Sequence, residues 1–124
     1  MKTLEPPART QWKKARTNGT QLFHLRRSLG IPRPLFSKLA DVSERSLASY
    51  ESTPKLPAAV QPRLTEALRL LEALLEILPA EDLREWLTTP NPGFQGKAPL
   101  ELIRNGQKDL VWAMIHQTRV GAYS

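Results

Sequence analysis

Cysteine is absent from the 124 residues, which removes disulfide frameworks, thiolate metal sites and cysteine nucleophiles together. Histidine is nearly as scarce. His24 and His116 stand far apart, with no His-x-x-x-His spacing and no neighbouring metal-type ligands, so neither is expected to bind a metal. No serine has a credible base, Glu72 and Glu76 read as a solvated helix face, and the expectation is a non-enzyme with no cofactor of its own. Long apolar runs are missing too: the most apolar stretch, residues 68–78, is interrupted by Glu72 and Glu76, and residues 1–7 lack the apolar core of a signal peptide. Neither membrane insertion nor secretion is expected, and a cysteine-free composition suits the reducing cytoplasm.

Acidic residues are the scarce charge, but only in the first half. The formal charge is +6; residues 1–61 hold 11 Lys/Arg against 4 Asp/Glu (+7), and residues 62–124 hold 7 against 8 (−1). A basic half joined to a near-neutral half suggests one module for a polyanion and another for protein, the alternative on charge alone being a solvated basic N-terminal arm. The length suits one compact body built from two small modules.

Residues 1–19, basic and broken by Pro6, Pro7 and Gly19, predict a flexible arm with one helical turn around Trp12. Leu22, Leu25 and Leu29 predict a helix over 21–29 that stops at Gly30; Pro32 and Pro34 open a second, with Leu35, Phe36, Leu39 and Ala40 inward, ending near Asp41. Ser43 caps a third over 44–51, with Leu47 and Tyr50 on its buried side. Pro54, Pro57 and Pro62 make 52–61 an extended linker and the domain boundary. Beyond it, Leu64, Leu68, Leu71, Leu75 and Leu78 form a stripe that Leu70, Leu74 and Ile77 widen. A helix so broadly apolar either meets a second subunit or is sunk in its own core. Pro79 opens a helix through Trp86 and Leu87; Pro90, Pro92, Gly93 and Gly96 make a turn over 88–97 with Phe94 plugged inward; short and long helices follow over 99–104 and 109–119, the last with Leu110, Val111, Met114 and Ile115 inward. With no convincing strand or repeat, the fold class is all-α.

In 35–51, Phe36 and Ala40 are apolar, Ser37 is small enough for close helix approach, Asp41-Val42-Ser43 stands at a turn, and Leu47, Tyr50 and Glu51 close the segment. This pattern resembles the helix-turn-helix of the Xre and lambda-repressor family, with Asp41 in place of the usual turn glycine. The capped third helix would present Ser43, Glu44, Arg45, Ser46 and Ser49 to a major groove, Arg45 being the best guanine contact. Arg33 and Lys38, like Arg26 and Arg27, would neutralise phosphates or stand as solvated charges.

The run Trp86-Leu87, Pro90-Asn91, Gly96 and Pro99-Leu100-Glu101-Leu102 is similar to the toxin-binding domain of the Xre, MbcA and ParS antitoxins, with Ala98 where that family usually caps the next helix with Thr. The resemblance implies an all-α antitoxin: a 20–61 helix-turn-helix and linker bound to operator DNA, and a 62–124 dimerisation and toxin-binding region. It implies as partner a RES-domain toxin that depletes NAD, within a homodimer-based hetero-oligomer. The toxin-facing residues would be Trp86, Asn91, Phe94, Lys97, Trp112 and Arg119, with Gly121, Ala122, Tyr123 and Ser124 as a tail entering the toxin's cleft. The alternative is a free-standing Xre-type regulator whose C-terminal helices serve only dimerisation.

Overall fold

Trp12 and Ala15 convert the amino-terminal segment from an arm into a helix. In the computed structural model, which describes residues 6–121, α1 (Arg9–Ala15) lies against α2 (Gly19–Ser28) with both side chains buried. The helical turn expected around Trp12 is present as part of α1, while the flexible arm expected over 1–19 is folded chain from residue 9 onward. Burial of an indole contributes more than one turn of intrinsic helix propensity could. The Asn18 side chain accepts from the Gln21 backbone N–H at 3.1 Å and starts α2. Gly19 follows because nothing larger fits: a Cβ there would lie 1.8 Å from the Tyr50 carbonyl oxygen.

Next come α3 (Arg33–Ala40) and α4 (Glu44–Glu51), then α5 (Gln61–Leu74), α6 (Leu83–Thr88), α7 (Pro99–Arg104) and α8 (Lys108–Gly121), with 3-10 turns at Ala80–Asp82 and Pro92–Phe94. The described residues are all-α; their β-type pairing is an isolated bridge between Asn91 and Lys97. No described helix is long and apolar enough to cross a membrane.

One apolar core runs from Trp12 to Ile115. Its axis is α5, whose Leu64, Leu68, Leu70, Leu71 and Leu74 are all buried within this single chain. Its breadth therefore reflects a helix sunk in its own core, and Leu70 is not available to a second subunit. The helix stops at Leu74, one turn short of the stripe, and the chain turns towards Pro79 with Leu75, Ile77 and Leu78 half-buried. Residues 52–61 are not a free tether: Leu56 and Val60 are buried, and the Leu56 N–H donates to the Thr17 carbonyl at 2.9 Å. Contacts of α3 with both α5 and α7 join the two halves.

Three carboxylates on or beside α5 fasten other helices to it: Glu72 pairs with Arg16, Glu66 with Lys108 and Glu76 with Arg119. The last two grip α8 near its ends, while Val111 and Ile115 are its fully buried side chains. Leu110, expected inward, is 50% exposed and Met114 is half-buried, since α8 packs chiefly on the short α7 and has little surface to cover both.

Candidate nucleic-acid and partner interfaces

The α3–α4 pair is built from its turn. Asp41 adopts the left-handed conformation (φ 55°, ψ 48°) that Asp tolerates better than most residues, and the Val42 N–H donates to the Ser37 carbonyl at 3.0 Å. Ser43 then caps α4, its Oγ accepting from the Ser46 N–H at 3.0 Å and donating to Ser46 Oγ at 2.9 Å. Leu47 points into the core. Ser43, Glu44, Arg45 and Ser49 are exposed on the other side, Ser46 half-buried beside them, and Lys38 exposed on α3.

The far end of α4 is held by charge. Glu51 is buried and accepts from Arg26 Nε at 2.5 Å and Nη2 at 2.9 Å, while Arg26 Nη1 donates to the Ile31 carbonyl at 3.0 Å. Arg33 Nε adds a third bond to Glu51, at 2.9 Å. Arg26 is accordingly neither a phosphate ligand nor a solvated charge: it fixes α2 to α4. Arg33 shares that work through Nε, with its side chain 37% exposed. The signal was present in the sequence, because Arg26 lies one helical turn after Leu22, on the apolar side. Arg27 remains exposed, its guanidinium 5.5 Å from the Phe23 ring centroid.

Around 88–97 the side chains expected to touch a toxin are mostly occupied in shaping the loop. Asn91 Oδ1 accepts from the Gly93 N–H at 2.8 Å, its backbone N–H donates to the Lys97 carbonyl at 3.1 Å, and its carbonyl accepts from the Gly96 N–H at 3.0 Å. Phe94 is buried, edge-on to Trp86 with ring centroids 6.4 Å apart. Asn91 and Phe94 are therefore loop-builders, whereas Lys97 is exposed and Trp86 half-buried at the surface. Ala98 retains half of a capping box, its N–H donating to Glu101 Oε1 at 3.2 Å. Arg119 Nε lies 2.7 Å from Glu76 Oε2. Gly121 ends α8; Ala122, Tyr123 and Ser124, expected to form most of the tail, lie outside the described residues.

Two residues from the separate expectations meet in one place. A concavity of about 490 Å³ opens between the α3–α4 turn, α5 and the α7–α8 corner, and both Lys38 and Trp112 line it. Arg63, Arg104 and Lys108 line it too. Sequence inspection missed them because they are scattered over three elements and carry no shared motif.

Residues 71–111 match the family described as the antitoxin Xre/MbcA/ParS C-terminal toxin-binding domain. The chain is similar to the mycobacterial cidal antitoxin MbcA of Mycobacterium tuberculosis and Mycobacterium bovis, 28% identical over 96 residues, which is 77% of this chain and 85% of the relative. It is also similar to part of a glycerol-3-phosphate dehydrogenase [NAD(P)+] of Rhodospirillum rubrum, 34% identical over 95 residues, covering 71% of this chain and 27% of that protein. No solved structure matches.

Proposed function

We propose, on the premise that this chain belongs to the Xre/MbcA/ParS antitoxins of toxin–antitoxin systems, that it neutralises a RES-domain toxin and represses the operon encoding both. The observation that carries the proposal is the presence, in one chain, of a toxin-binding domain match over 71–111 and a capped helix-turn-helix geometry upstream at α3–α4. Operator DNA would be read by Arg45 with Glu44, Ser46 and Ser49 at the start of α4, and Lys38 would neutralise a phosphate. Ser43 serves that surface by aiming the helix. The toxin side is assigned to Trp86, Lys97, Trp112 and Arg119.

A homodimer is proposed because helix-turn-helix proteins read paired half-sites; the buried α5 leucines lend it nothing. No catalytic role is assigned to the chain. NAD, if handled, is the toxin's substrate.

Co-expression with the product of the adjacent gene tests the proposal. Growth arrest by that product should be relieved and the two proteins should purify together. Persistent arrest without a complex refutes the antitoxin role; binding of the operator with no toxin beside it would instead make the chain a free-standing regulator.

A further inference from the structure

We infer that the toxin's contact surface does not end at the C-terminal region but extends onto the helix-turn-helix through the α3–α5–α8 concavity, which receives an acidic segment of the toxin bearing an apolar side chain. The inference rests on the antitoxin reading above and assigns that partner a seat. Four cations line the concavity, Lys38, Arg63, Arg104 and Lys108, against two carboxylates, Asp41 and Glu66. Glu66 is already paired with Lys108. Arg63 Nη1 reaches the Asp41 carbonyl oxygen at 3.4 Å, a neutral acceptor. Among the described residues, neither Lys38 nor Arg104 is in an ion pair, although both are exposed at the rim. The rim is thus complementary to negative charge.

The floor is different in kind. The half-buried Ile103 and the half-buried indole of Trp112 give it an apolar surface over the buried Leu70, and a volume of about 490 Å³ accommodates one or two side chains from a partner. Duplex DNA presents a continuous phosphate ridge with no apolar projection to fill such a floor, whereas a loop carrying Asp or Glu beside Leu or Phe matches rim and floor together. Continuity with the stretch that matches the toxin-binding family chooses the occupant: Ile103, Arg104, Gly106 and Lys108 all lie within that 71–111 match. The opposite wall is the end of α3 and its turn, residues 37–42, outside that match. A segment seated there touches both halves at once.

The test measures affinity of the full chain for the co-purified toxin at low and high salt. Lys38→Glu and Arg104→Glu should each weaken binding about tenfold or more, chiefly through slower association, with the difference shrinking as salt rises. Lys38→Arg should restore binding, and Lys13→Glu on the exposed side of α1 should leave it unchanged. Circular dichroism of each variant checks the fold, and Lys38→Ala provides a milder change if charge reversal disturbs it. Loss of binding on Arg104→Glu with none on Lys38→Glu or Lys38→Ala would confine the toxin to the C-terminal half and overturn the inference alone. Binding indifferent to both positions would do the same. Failure of the unaltered chain to bind the toxin would remove the antitoxin reading, and the inference with it.

Discussion

Arg26, Glu51 and Arg33 show how little of a residue's role follows from its charge. Glu51 holds one buried and one half-exposed guanidinium, so Glu51→Ala leaves Arg26 buried without its counter-charge. The expected cost is about 3–5 kcal/mol, read by chemical denaturation. Arg33→Ala removes one bond at a more exposed position and should cost no more than about 1 kcal/mol. Gly19→Ala is expected to be more severe than any exposed charge change, because the new methyl collides with the Tyr50 and Thr53 carbonyls, neither of which is a flexible side-chain end. On the outer face of α4, Arg45→Ala should reduce discrimination between operator and random DNA. Lys38→Ala should weaken both alike and lower the salt slope by about one, measured by fluorescence anisotropy across a salt series.

The helices themselves were largely legible. Ser43, Pro32, Pro99 and the Asn105-Gly106 stop mark α3, α4 and α7 because caps and breakers act within a few residues. Around Trp12 only a helical turn was legible: one indole in a polar stretch has no periodicity, and its partner surface on α2 becomes visible only when the chain is folded. The same holds for the concavity, whose rim charges lie as far apart in sequence as Lys38 and Lys108. Ala98 was legible as a weak start to α7, and Ala98→Ser, with an Oγ able to accept from the Glu101 N–H, should raise stability by up to about 1 kcal/mol. α8 buries few side chains for its length. With Val111 and Ile115 as its fully buried side chains and an ion pair near each end, its amides should exchange with deuterium faster than those of α5. Equal protection of the two helices would contradict this.

At the scale of the molecule, the charge asymmetry divides the chain more sharply than its packing does. The basic half and the near-neutral half share one core, and Leu56, within the expected linker, is buried and bonded to the loop after α1. Heating should therefore produce a single transition, with calorimetric and van't Hoff enthalpies in agreement. A fragment starting at residue 62 would expose the α5 and α7 surfaces that α3 covers, so it should be aggregated or unfolded by circular dichroism. That common core also constrains what recombination can do with such a gene. On the proposed function, a crossover within codons 52–61 would graft one operator reader onto another toxin binder, yet the hybrid inherits mismatched halves of a single interior, including whatever side chains face α5 from α3. Viable chimeras must exchange the α3 contact surface with the C-terminal half or move the whole unit together. If α4 reads the operator as proposed, new pairings of promoter and toxin are reached more readily by substitutions on its exposed start than by shuffling segments.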